Sequence, residues 1–204
     1  MAQLPIRSLK AGVNNFQGPI VTITVGPSKE HFYVHKSLIC TSSLFFNRAM
    51  SGSWKGSEVQ TLNLPEDDPN IFALYSHWLY VGQIPVIVQS GTKEEIANDN
   101  FKEYYTLVKA YVLGDKLLDD KFRNSTIQAI IEKATTPCAN GQRHYPGADV
   151  IIYATECAKI RNLLVDIYVE VGEPGWLTKE LSHDFLYSVV EGLMRKRAER
   201  VPEL

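Results

Sequence analysis

Cysteine is scarce in this 204-residue chain, with Cys40, Cys138 and Cys157 the only three. They are too few and too scattered for a disulfide framework, and none stands in the paired C-x-x-C spacing of a zinc knuckle. Long apolar runs are missing as well. No stretch approaches the roughly 18 residues that a membrane span requires, and the opening Met1-Ala2-Gln3-Leu4-Pro5-Ile6-Arg7 lacks the apolar block of a signal peptide. Neither sign of charge is in excess: 21 Lys and Arg against 23 Asp and Glu leave a net charge of −2. Nothing in that balance draws the chain to nucleic acid or to an anionic bilayer. Internal repeats and low-complexity segments are absent. The expectation is a protein of a reducing compartment, cytoplasm or nucleus, with thiols left free. What is present is ordinary globular material, 45% hydrophobic and 22% charged, enough to bury a core without disulfides or a metal.

Residues 1 to 18 show no sustained period and read as a loose lead-in. Val21-Thr22-Ile23-Thr24-Val25 then alternates apolar and polar, the period-2 pattern of a half-buried strand. Gly26-Pro27-Ser28 punctuates it, and His31 to Val34 resumes an extended pattern, so the pair reads as a hairpin. A third strand is expected at Val59 to Leu64 and a short fourth at Val86-Ile87-Val88. So few strands cannot hide both faces of a sheet, and helices must cover them. A short helix opens at Ser37. The next, capped by Ser42 or Ser43, carries Phe45, Phe46, Ala49 and Met50 and stops at Gly52. Asp68-Pro69 starts a helix with the stripe Ile71, Phe72, Tyr75, Trp78 and Leu79, ending near Gly82. After a polar insert, 89 to 100, a helix presents Phe101, Tyr104, Tyr105, Val108, Tyr111 and Val112. Another opens at Asp119-Asp120. Thr135 to Gly147, with two prolines and two glycines, is the internal boundary. Beyond it helices are expected over 149–160, 162–171 and 182–197, the last two separated by Gly172-Glu173-Pro174-Gly175-Trp176. Such short helices are marginal in water alone, so the tail is expected to pack back on the main domain.

No constellation of catalytic residues emerges. His31 and His35 straddle a strand, where four residues span about 13 Å, too far to share one ion. His77, His144 and His183 have no acidic or cysteine neighbours at ligand spacing. Asp67-Asp68 and Asp119-Asp120 each precede a helix, where carboxylates serve the free N–H groups of the first turn. Gly52-Ser53-Trp54-Lys55-Gly56 is neither a nucleophile elbow nor a phosphate loop. Asn124-Ser125-Thr126 spells a glycosylation sequon inside an expected helix. The one basic cluster, Arg195 to Arg200, suits a helix C-terminus. No cofactor or metal site is expected.

The run from Val21 through Phe32-Tyr33-Val34-His35-Lys36-Ser37-Leu38-Ile39 to Ser42-Ser43-Leu44-Phe45-Phe46 resembles the opening of the BTB/POZ domain. So do Leu62-Asn63-Leu64-Pro65-Glu66-Asp67-Asp68, the helix ending Tyr80-Val81-Gly82, and Tyr111-Val112-Leu113-Gly114-Asp115-Lys116-Leu117, with Gly114 where alanine is commoner. The resemblance covers about 18 to 135. The insert after Gly82 and the tail are similar to small stand-alone BTB proteins of filamentous fungi, which carry no kelch, zinc-finger or MATH module. It implies an α+β fold, a small three- to four-stranded sheet covered by helices, over 18–135, with a C-terminal helical extension over 136–204. His35 and Asp115 are implied structural residues of the family motif. Phe45, Phe46, Met50 and Trp54 lie on the hairpin that borders the dimer interface of relatives. They are the candidate interaction surface, and equally candidate core. The implied act is protein association, as a homodimer or with a protein partner, without catalysis. A second implied role is recruitment of a cullin ubiquitin ligase. Relatives that do this often use a carboxylate on the helix after the third strand, and this chain has none between Ile71 and Tyr80.

Overall fold

An unbroken run of β-branched residues, with valine or isoleucine alternating with threonine, sets the central strand. The computed structural model describes residues 18–51, 61–87, 93–137, 143, 145–154 and 157–200. In it β1 (Ile20–Val25) lies between β2 (Glu30–His35), antiparallel to it, and β3 (Thr61–Leu64), parallel to it. Val21, Ile23 and Val25 face the core and are fully buried, while Thr22 and Thr24 on the opposite face are covered too. The expected hairpin and third strand are therefore present. Val86 and Ile87 are not a strand, and Val88 lies outside the described residues.

Helices α1 (Lys36–Ser42), α2 (Leu44–Met50) and α3 (Pro69–Val81) follow the strands as expected. The Asp68 carboxylate accepts from the Asn70 N–H, Pro69 opens the first turn, and Gly82 ends α3 in the left-handed region at φ 75°. Helix α4 (Lys93–Lys116) starts well inside the insert that the sequence reading leaves polar, and α5 (Asp120–Thr135) opens at the expected acidic pair. The tail departs from expectation at one point. The first two tail helices are α6 (Ala148–Ala154) and α7 (Ala158–Val171), so α7 already includes Arg161, where the sequence reading parts them, and α8 (His183–Arg200) is last. Cys157 precedes α7 with extended backbone. No helix among the described residues is long and apolar enough to cross a membrane.

Two compact units result. The first runs to Pro85 and takes in Leu113–Arg123; the second holds Val86–Val112 and the chain from Asn124 onward. An aromatic chain fills the first. Phe32 meets Phe72 at 4.9 Å, Phe72 meets Tyr75 at 5.8 Å, and Phe122 lies 4.9 Å from Tyr75 and 5.0 Å from Trp78. In the second, the turn Pro174–Trp176 sends Trp176 inward, stacked on Tyr145 and edge-on to Tyr168. The Tyr168 hydroxyl donates to the Pro146 carbonyl at 2.8 Å. Lys133 and Glu103 pair at 2.5 Å with both side chains largely buried, the ammonium also lying over the Tyr104 ring.

Gly26 closes the β1–β2 turn at φ 75°, and a Cβ there would come within 2.7 Å of the Pro69 ring. Gly26→Ala is therefore expected to cost about 1–3 kcal/mol from left-handed strain and overpacking. A urea unfolding curve checks this, and an unchanged midpoint would show that the turn relaxes freely.

Candidate interaction surface on the helical hairpin

The α1–α2 hairpin is held from below by hydroxyls. Ser43, the residue between the two helices, accepts from the Phe46 N–H as the cap of α2, and its own hydroxyl donates to the Leu117 carbonyl. The backbone N–H groups of Leu44 and Phe45 donate to the carbonyls of Leu118 and Leu117. One position earlier, Ser42 donates to the Asp119 carboxylate, which also accepts from the Tyr75 hydroxyl at 2.9 Å and from the Phe122 N–H at 3.0 Å. Asp119 has no exposed surface at all. A carboxylate so placed is tolerable only when hydrogen-bonded on both oxygens, and here it is. It caps α5, as the sequence pattern implies. Its second task, tying α1 and α3 to that cap, has no local signature because Tyr75 and Ser42 lie 44 and 77 residues away.

Of the four hairpin residues proposed as a surface, Phe46 is 0% and Met50 6% exposed, so both pack inside the first unit and offer no surface in the single chain. Phe46 sits 5.2 Å from Phe45 and 6.4 Å from Phe72, and Met50 receives the Cys40 thiol on its sulfur at 3.6 Å. Phe45 is half-buried, and Trp54 lies outside the described residues. Among the described residues, the large apolar side chain exposed on the hairpin is Leu44, at 54%, and the backbone bond from its N–H brings it beside Leu118, at 42%. Leu118 holds φ at 51°, the left-handed region that a leucine rarely adopts. A strained, exposed leucine next to another is a feature that sequence pattern alone misses.

The two motif residues have definite tasks. The His35 ring shares a hydrogen bond with the Tyr80 hydroxyl at 2.9 Å, and that hydroxyl also accepts from the His35 N–H at 3.1 Å. The bond therefore ties the end of β2 to the last turn of α3. Asp115 pairs with Arg123, which also meets Asp120, and Lys116 pairs with Asp67 at 2.7 Å. Gly114 lets this crossing close up, since a Cβ there would come within 2.9 Å of Arg123 and 3.0 Å of Phe122.

Burial, followed by the Asp119 charge and its hydrogen bond, pushes the Tyr75 phenol far above its ordinary value. A raised folded-state value means the neutral phenol contributes its full stability below about pH 10, the unfolded tyrosine value. That contribution erodes as pH rises beyond it, because the unfolded chain alone releases the proton. Tyr75→Phe should lower stability at pH 7 by about 1–3 kcal/mol, since a buried carboxylate loses a donor, and should flatten the alkaline decline. Unfolding curves at neutral and alkaline pH check both, and an identical alkaline slope in the variant would place the titration elsewhere.

Comparison with known families places this arrangement. Residues 17–104, from the lead-in to β1 as far as Tyr104 within α4, match the family model described as the BTB/POZ domain. The match spans the hairpin, the sheet and α3, and the fold around it is the small helix-covered sheet that the resemblance implies. BTB/POZ domains are modules of protein–protein interaction, and residues 17–104 of this chain are similar to one.

Proposed function

We propose that this protein acts as a scaffold or adaptor, associating with a protein partner or with itself, and has no catalytic activity. The observation that carries the reading is the apolar patch at the tip of the hairpin, Leu44 beside the strained Leu118 with Phe45 half-buried behind them. Two neighbouring exposed leucines, one in a costly backbone conformation, favour a surface that another protein covers. Two buried charged groups among the described residues fit a structural rather than a chemical role. Asp119 is engaged by Ser42, Tyr75 and a backbone N–H, and Lys133 by Glu103, so each serves the fold. The interaction surface proposed for the first unit is accordingly Phe45 with Leu44 and Leu118, while Phe46 and Met50 are buried in the same hairpin. We place this module over 18–135 and the helical extension over 136–204.

The experiment is capture with the full chain, wild type against Leu44→Asp, followed by identification of what is bound, with a purified cullin measured in the same format. The wild type should retain protein partners that Leu44→Asp loses by about tenfold or more, a difference of roughly 1.4 kcal/mol. The variant should keep the wild-type unfolding midpoint, because Leu44 is exposed. A wild type that retains nothing beyond a control domain of the same charge overturns the reading, as does a variant that retains the same set. Binding of the cullin would assign the adaptor role.

A further inference from the structure

Helix α8 has two apolar faces. One packs on α7 through Phe185 and Val189, with Gly192 so close that a Cβ would lie 2.7 Å from the Val169 side chain. Arg161 reaches Ser188 and the Asp184 carbonyl, and Lys196 reaches Glu170 and the Val169 carbonyl, fixing the packed side. The opposite face carries Tyr187, Val190 and Met194 at i, i+3 and i+7, exposed by 68%, 50% and 68%, with exposed Leu193 at its edge. A surface helix normally turns charge outward, and one that is apolar on both sides is a helix covered on both sides.

Charge along α8 indicates what covers it. Asp184 lies in the first turn, and Arg195 follows eleven residues later, about three full turns at 3.6 residues each, so both lie along one edge of the stripe. The ion pair of Arg195 within the chain, to Glu191, is long at 3.7 Å and exposed, and such pairs hold weakly. A second copy laid antiparallel brings its Arg195 to this Asp184 and its Asp184 to this Arg195, with the helix dipoles opposed. A parallel copy would bring this edge to the partner's opposite edge and leave Asp184 and Arg195 without each other. The stripe is thus complementary to itself in one orientation.

We infer that α8 is a self-association surface on which two copies of this chain pair antiparallel through Tyr187, Val190 and Met194, Asp184 of each facing Arg195 of the other. The surface is separate from the hairpin patch and does not rest on it. The contact is small, so the pairing is weak and depends on concentration.

Sedimentation velocity of the full chain over a micromolar concentration series tests it. The wild type should pass from monomer to dimer, and Tyr187→Ser with Met194→Asp should move that transition at least about tenfold higher in concentration. Asp184→Arg and Arg195→Asp should each weaken pairing, and the two together should restore it. Leu44→Asp should leave the transition in place. A wild type that stays monomeric throughout overturns the inference, and so does an α8 variant that dimerises like the wild type. Dimerisation lost with Leu44→Asp and kept by the α8 variant would overturn it while favouring the hairpin as the contact. Failure of the charge swap to restore pairing would overturn the antiparallel arrangement.

Discussion

A single buried carboxylate governs the first unit. Asp119 is fully removed from water, and a carboxylate in that position is costly unless its oxygens are occupied. The donors come from three places in the chain: the end of α1 at Ser42, the middle of α3 at Tyr75, and the first turn of α5 at Phe122. Each donor fixes the distance of its helix from the same two oxygens. The hairpin cannot shift outward without stranding that charge, so the leucines at its tip are presented on a firm base. The aromatic chain from Phe32 to Phe122 fills the space these bonds define. Dispersion supplies mass to the core, whereas hydrogen bonding to Asp119 supplies its geometry.

The second unit is organised differently. Its centre is Trp176, held between the rings of Tyr145 and Tyr168, with Phe185 against the far side of Tyr168 at 5.1 Å. A loop of Gly, Glu and Pro delivers the tryptophan. The short turn at Pro174 is what folds it inward. Helices α4 and α5 each contribute residues to both units, since the contacts assign Leu113–Arg123 to the first and the remainder of both helices to the second. A boundary drawn at 135 follows loop chemistry along the chain, while these units follow which side chains share a core.

Local chemistry was legible wherever a short-range rule applied. The alternation in Val21 to Val25, the Asp68-Pro69 start, the Gly82 stop and the Ser43 cap all lie within four residues of the groups they act on. Three features escaped for a physical reason. The apolar stripe of α2 shows that Phe46 and Met50 share a character with Phe45, but periodicity does not say which of them a neighbouring element covers. The meeting of Tyr75 with Asp119 is a contact between distant segments, with no trace in either one's surroundings. The polar composition of 93–100 hid the start of α4 in the same way, because a helix whose face is polar shows no hydrophobic period. The outward stripe of α8 was half legible: its apolar residues invite a buried reading, and only the structure separates the side that α7 covers from the side left open.

The contact between Cys40 and Met50 carries one more consequence. Desolvation lifts the Cys40 thiol above its ordinary value despite the nearby Lys36 ammonium, and the sulfur faces Met50 and the Phe46 carbonyl across the hairpin. A thiol kept protonated in this way is a poor nucleophile. Alkylating reagents would therefore reach the half-buried Cys40 but react slowly at neutral pH, and faster as rising pH frees the thiolate.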